Sequence, residues 1–156
     1  MAKGKEWPIV TGLAVSGILD SLYLLLYQTK KIEHLVCPVF DGGCEQVAAS
    51  DSAFPGGVPD AIYGVAGYSA AAGTAIAIPR TSGRVQKWLA RAMIGGSLLA
   101  VGLSAYLTYA QPKKTGAWCF WCLTSAAVSS IMATVAISGA RRVLREHRQQ
   151  LTDKKE

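Results

Sequence analysis

Residues 118–140 read WCFWCLTSAAVSSIMATVAISGA, and the pair Arg141–Arg142 follows directly. From Leu123 to Ala140 there is no charged side chain. An amphipathic helix of a soluble domain would interleave polar residues with a period near 3.6. Here the apolar run instead matches the hydrocarbon core of a bilayer, which about 20 residues cross at ~1.5 Å each. The stretch therefore reads as a membrane span with two cysteines at its head.

Three more runs of the same kind lie upstream. The first is about 7–27, preceded by Lys3 and Lys5. The second is about 58–78, closed by Pro79 and Arg80, and the third is about 88–110, ended by Gln111 and Pro112. The first run is too long for a cleaved leader, carries Asp20 and lacks a small-residue cleavage site. The sequence predicts a single all-α integral membrane domain over 1–156. It is a four-transmembrane-helix bundle with an outer loop at 28–57 and a cytoplasmic tail at 141–156.

Charge sets the orientation. The chain is 51% hydrophobic with a net charge of +6. Its basic residues sit at the ends of apolar runs, not among aromatics on a folded face, so no nucleic-acid partner is expected. Twelve of the sixteen Lys and Arg fall at the N-terminus, between the second and third runs with Arg91 just inside the third, and in the tail. Only Lys30, Lys31, Lys113 and Lys114 fall on the other side. Under the positive-inside rule both termini of this multi-pass inner- or plasma-membrane protein are cytoplasmic. All four cysteines then face the extracytoplasmic side, where disulfides persist.

An internal similarity supports that arrangement. SLYLLLYQTKK from Ser21 and SAYLTYAQPKK from Ser104 share Ser, Tyr, Leu, Gln and two Lys at matching offsets. Each precedes a cysteine, Cys37 or Cys119, by five or six residues. Apolar helices with interfacial Tyr and Lys can look alike by chance, but the joint spacing favours duplication or convergent packing. Both segments should end at the same membrane face.

The cysteines form two pairs of different character. Cys37 and Cys44 lie in CPVFDGGC, whose Pro38, Gly42 and Gly43 predict a turn-rich loop rather than a helix. Cys119 and Cys122 form a CxxC near the first turn of the fourth span, where unpaired N–H groups and the helix dipole favour a thiolate. Zinc is one alternative, but the spacing is poor for a zinc ribbon and no metal is expected. Two inert disulfides in a non-enzymatic membrane protein are another, though a membrane bundle does not need such staples. A CxxC disulfide closes a very small loop and is readily reduced, so redox cycling is the better reading. Phe120 and Trp121 beside the CxxC fit an ordinary aromatic belt or the wall of a site for a lipid-soluble two-electron acceptor such as a quinone.

Three further residues stand out. Asp20, inside the first span, fits either proton transfer near such an acceptor or a pairing with Ser16. His34 could assist thiol deprotonation or be an exposed loop residue. His147 reads as surface.

The sequence resembles the vitamin K epoxide reductase family in its bacterial disulfide-forming branch. The resemblance covers Gly17 to Ser125 and rests on SLYL, the C-x6-C loop, CEQVAAS, GGVP, and AYLTYAQ leading into CFWC. The other four-span quinone-coupled family of disulfide oxidases has its CxxC in the first outer loop, whereas here it heads the fourth span. The resemblance implies that Cys119 and Cys122 are the active-site pair, with Cys122 nearest the quinone. It implies that Cys37 and Cys44 relay electrons from a thioredoxin-like partner. Ser50, or Ser52 if the register slips, would lie near the quinone on a short helix capping the site.

Asp60 stands where vertebrate members carry a quinone-contacting asparagine, and Ala126 where they carry a tyrosine. Simple reduction of ubiquinone or menaquinone (vitamin K) is therefore expected over vitamin K epoxide reduction, which stays as the alternative. Bacterial relatives often carry a fused thioredoxin domain, but here a basic tail leaves no room for one. A separate extracytoplasmic thioredoxin-fold partner is the expectation, with membrane lipid and quinone.

Overall fold

The computed structural model describes residues 4–40 and 42–153. Lys3, Asp41 within the CPVFDGGC stretch, and the last three residues of the expected tail lie outside them. The described chain is five α-helices joined by turns: α1 Glu6–Gln28, α2 Gly43–Ala48, α3 Asp60–Ala77, α4 Gly83–Thr115 and α5 Phe120–Asp153. Three short 3-10 turns accompany them, at Asp51–Ala53, Pro55–Gly57 and Ile78–Arg80. Four of the helices, all but α2, are long and apolar enough to cross a membrane. The expected all-α four-span architecture with a short extra helix is the one observed.

Two boundaries differ from the sequence reading. Pro112 was expected to close the third span, yet α4 continues through it to Thr115. Proline removes one helix donor and crowds the carbonyl four residues back. So close to the end of α4, few hydrogen bonds are left to lose. Gly116 then stops the helix in a left-handed conformation (φ 68°), its N–H donating to Pro112 O at 3.1 Å. At the other boundary, α5 runs on through the tail to Asp153. That extension is packed as well as solvated. Val143 is buried, and Arg142 pairs with Glu6 at 2.5 Å. His147, expected at the surface, is half-buried and meets Gln86 Oε1 at 2.7 Å.

In lipid, helices gain little from apolar burial against one another and rely on close approach and polar contacts. Gly17 and Gly64 supply the approach between α1 and α3. A Cβ on Gly17 would come within 2.5 Å of the Tyr68 ring, and one on Gly64 within 2.5 Å of Ser21 Oγ. Trp7, Val10, Ala14, Tyr68, Met132 and Ala136 pack the interior from three helices. A second cluster occupies the opposite end of the bundle around Leu24, Leu35, Cys44, Val47 and Cys119. That end carries the site.

Candidate functional site

The head of α5 shows how the CxxC is held. Cys119 occupies the N-cap position, which usually falls to Ser, Thr, Asp or Asn because a side-chain acceptor there satisfies an orphan N–H of the first turn. Here sulfur takes that part: the Cys122 N–H donates to Cys119 Sγ at 3.3 Å. The Cys119 N–H in turn donates to Gln111 Oε1 at 2.9 Å, from a glutamine buried near the end of α4. The Cys119 thiol, one residue outside the helical span, is held below the ordinary thiol range. A hydrogen bond from the Cys122 thiol contributes most, and the N–H groups of Cys122 and Trp121 add to it against the effect of burial.

Cys37 and Cys44 are joined as a disulfide, while Cys119 and Cys122 are free thiols. The four sulfurs are thus two pairs rather than one tetrahedral set. The CPVFDGGC stretch is not all loop, because Gly43 opens α2 and puts Cys44 in its first turn. Gly42, left-handed at φ 69°, makes the corner, and the Gln46 N–H closes the turn on Gly42 O at 3.2 Å.

Gly43 lets α2 lie directly on the approach to α5, since a Cβ there would meet Trp118 O at 2.5 Å. Gln46 Nε2 fastens the other side of α2 to Thr115 O at 2.7 Å. As a result Cys44 is fully buried at the CxxC, with its Sγ accepting from the Phe120 N–H at 3.4 Å. Cys37 is half-exposed, between the exposed Val36 and Val39. One residue of the loop pair is buried at the CxxC, and the other packs beside it partly exposed.

The remaining sequence-predicted residues fall around this centre. Trp121 packs edge-on against Tyr23 at 5.0 Å and Phe120 at 5.4 Å between centroids. Its Nε1–H donates to Val36 O at 2.7 Å, so the indole pins the cysteine loop as well as forming a wall. Ser50 follows α2, and its hydroxyl donates to Val47 O at 2.7 Å. Asp60 begins α3 and accepts from Gln28 Nε2 at 2.7 Å. His34 is exposed and faces Glu45 at 3.5 Å. Asp20 is buried with no hydrogen-bond partner on either carboxylate oxygen, and Ser16 instead donates to Leu13 O.

The sequence reading missed the two glutamines. Gln28 ties the end of α1 to Asp60 and, at 3.4 Å, to the Ala61 N–H at the start of α3, while Gln111 holds the Cys119 N–H. They occupy matching offsets in the two similar segments, which was the available signal.

A helical membrane bundle with a loop cysteine pair docked on a CxxC at one end defines a class of thiol redox proteins. The chain belongs to the vitamin K epoxide reductase family, whose model matches residues 8–137. No curated protein matches the chain. Membership makes it a membrane oxidoreductase of the thiol–disulfide or quinone kind, from a family associated with quinone. A quinone ring needs apolar and aromatic walls, a reactive thiol alongside and a polar group for its carbonyls. Phe120, Trp121 and Tyr23 offer the walls and Cys122 the thiol, while the Asp20 carboxyl, buried and without a partner, would donate to a carbonyl when protonated. The residues present fit the group.

Proposed function

We propose that this protein reoxidises an extracytoplasmic thioredoxin-fold partner and passes the electrons to a membrane quinone, ubiquinone or menaquinone, in support of disulfide bond formation. Both termini are cytoplasmic in this reading, and the cysteine end of the bundle faces outward. The partner's thiolate attacks the half-exposed Cys37, Cys44 leaves as a thiolate against the CxxC, and the partner's second thiol closes the partner's own disulfide and releases Cys37. Cys44 then attacks Cys119 of an oxidised Cys119–Cys122 pair with Cys122 as the leaving sulfur, and Cys37 attacks Cys44 to restore the loop disulfide and leave the CxxC as a dithiol. The Cys119 thiol, held below its ordinary range by the hydrogen bond from Cys122, favours exchange through this pair. Phe120 and Trp121 exclude water beside Cys122, and the Ser50 hydroxyl, or the Asp60 or Asp20 carboxyl when protonated, would donate to the quinone's carbonyls. A bound quinone supplies a lipid-soluble sink for two electrons.

The observation that carries this reading is the burial of Cys44 against the Phe120 N–H, with Cys37 as the partly exposed end of the same disulfide. The reading is tested by quinone reduction in detergent-purified protein supplied with a reduced thioredoxin-fold protein, comparing wild type with Cys122→Ser. Turnover in wild type and its loss in a folded Cys122→Ser variant are expected. Cysteines that stay oxidised under mild reductant, with no quinone reduced, would sink the reading.

A further inference from the structure

The relay requires a proton at Cys122 when the CxxC disulfide opens, and one buried group in the membrane interior is placed to supply it. Asp20, in the middle of α1, is 9% exposed, and neither carboxylate oxygen has a hydrogen-bond partner. A buried carboxylate kept for structure is normally tied down by donors, because stripping it of water is costly. Charged groups at membrane depth are functional by default. The Asp20 carboxyl comes close to the Ser125 side chain of α5 without the geometry of a full hydrogen bond, and Ser125 lies one helical turn below Cys122 on the same side of the helix. The Ser125 hydroxyl meets Tyr68 OH at 2.9 Å, and Tyr68 OH meets Ser129 Oγ at 2.8 Å. A short polar ladder thus descends from the CxxC into the bundle, and Asp20 stands beside its upper rung. The titratable groups around it are Cys122 and Cys119 on α5, Tyr68 on α3 and Asp60 at the head of α3. Asp20 lies near enough to both thiols, and Asp60 to Cys122, for a charge on either carboxyl to act there.

We infer that Asp20 is the proton-exchange group of Cys122, acting across the Ser125 hydroxyl whenever the CxxC disulfide opens or closes. This rests on the redox relay proposed above. In the opening step the Cys44 thiolate attacks Cys119 Sγ. The Cys44–Cys119 bond forms and the Cys119–Cys122 bond breaks, with its electron pair leaving on Cys122 Sγ. The protonated Asp20 carboxyl gives up its proton and Cys122 ends as a neutral thiol. One negative charge enters on Cys44 and one remains on Asp20. No oxidant is consumed, because thiol exchange conserves electrons. The unpartnered carboxylate accounts for how a thiolate can be released in apolar surroundings without a buried charge on sulfur.

The test is redox-difference infrared spectroscopy of the full-length protein in detergent, oxidised against dithiol-reduced, alongside quinone turnover. Wild type should lose the carbonyl stretch of a protonated carboxyl on reduction. Asp20→Asn should abolish that change, Asp60→Asn should keep it, and Asp20→Glu should shift it. Opening of the Cys119–Cys122 disulfide should slow about a hundredfold in Asp20→Asn and recover in part in Asp20→Glu, the scale expected for a general acid. A wild type that turns over quinone with no carboxyl change overturns the assignment of Asp20 and leaves the relay standing. Persistence of the band in Asp20→Asn also overturns it. A wild type whose CxxC neither cycles nor reduces quinone overturns both.

Discussion

The Phe120 backbone N–H donates to Cys44 Sγ across 3.4 Å, so a loop sulfur sits on the peptide that immediately follows Cys119. Cys37, its disulfide partner, is half-exposed. The two ends of one disulfide thus meet different environments, and in the proposed relay that asymmetry would give electron flow through the loop a direction.

The close seating of α2 depends on Gly43. Gly43→Ala drives a Cβ into the Trp118 carbonyl, so α2 must lift and Cys44 must move off the Phe120 N–H. Exchange between the loop pair and the CxxC should slow by tenfold or more, since a displacement of about 1 Å at a reacting centre is worth up to ~10²-fold. Reduction of the CxxC by a small dithiol added directly should change little. Rapid-quench thiol trapping measures both rates.

Gln111 is a positioning residue for Cys119. Gln111→Leu removes the acceptor of the buried Cys119 N–H, and an unsatisfied buried donor costs about 1–3 kcal/mol. The variant should unfold at lower temperature in detergent and lose relay rate beyond what its folded fraction explains. Gln111→Glu keeps an acceptor at the same reach and should recover more of the rate than Gln111→Leu. Thermal unfolding followed by circular dichroism, paired with turnover per folded molecule, separates the two effects.

The Cys119 environment predicts a pH dependence. The thiol lies below its ordinary range, so with the CxxC reduced the thiolate should persist as pH falls below the ~8.5 of a free cysteine. The largest cause is the hydrogen bond from the Cys122 thiol, so Cys122→Ala should move the thiolate transition to higher pH. The ultraviolet absorbance of the thiolate, titrated in both proteins, reads the shift. An unchanged transition in Cys122→Ala would remove Cys122 as its cause.

The tight contact between α1 and α3 gives a stability prediction. Gly17→Val puts bulk where even a Cβ would lie 2.5 Å from the Tyr68 ring. Overpacking of this kind costs about 1–3 kcal/mol. The variant should lower the thermal midpoint, and because Tyr68 carries the Ser125 and Ser129 contacts it should also disturb the polar ladder. Gly67, with open space around its α-carbon, should accept alanine without that loss.

The spans were readable because hydrocarbon thickness forces long uncharged runs, and Leu123–Ala140 announces one without help from any other residue. The boundary at Pro112 was harder. A proline breaks a helix in its interior but costs little near its end, and only the left-handed Gly116 marks the true stop. Gly42 and Gly43 marked flexibility in the sequence. Their actual work, a left-handed corner and a close approach to Trp118 O, depends on a neighbour far away in the chain. For the same reason Gln28 and Gln111 were visible only as a repeated letter. Their hydrogen bonds join elements that no local pattern connects. Asp20 was visible as an anomaly, and its orientation toward Ser125 rather than Ser16 is set by helix packing.

The assignment of Cys44 as the inner relay sulfur is tested most directly by trapping. In Cys37→Ser/Cys122→Ser, the two remaining sulfurs are Cys44 and Cys119, and in Cys44→Ser/Cys122→Ser they are Cys37 and Cys119. After mild oxidation, non-reducing peptide mapping by mass spectrometry should find a Cys44–Cys119 disulfide in the first protein and two free thiols in the second. A Cys37–Cys119 bond in the second protein, with free thiols in the first, would contradict the direction of electron flow described above.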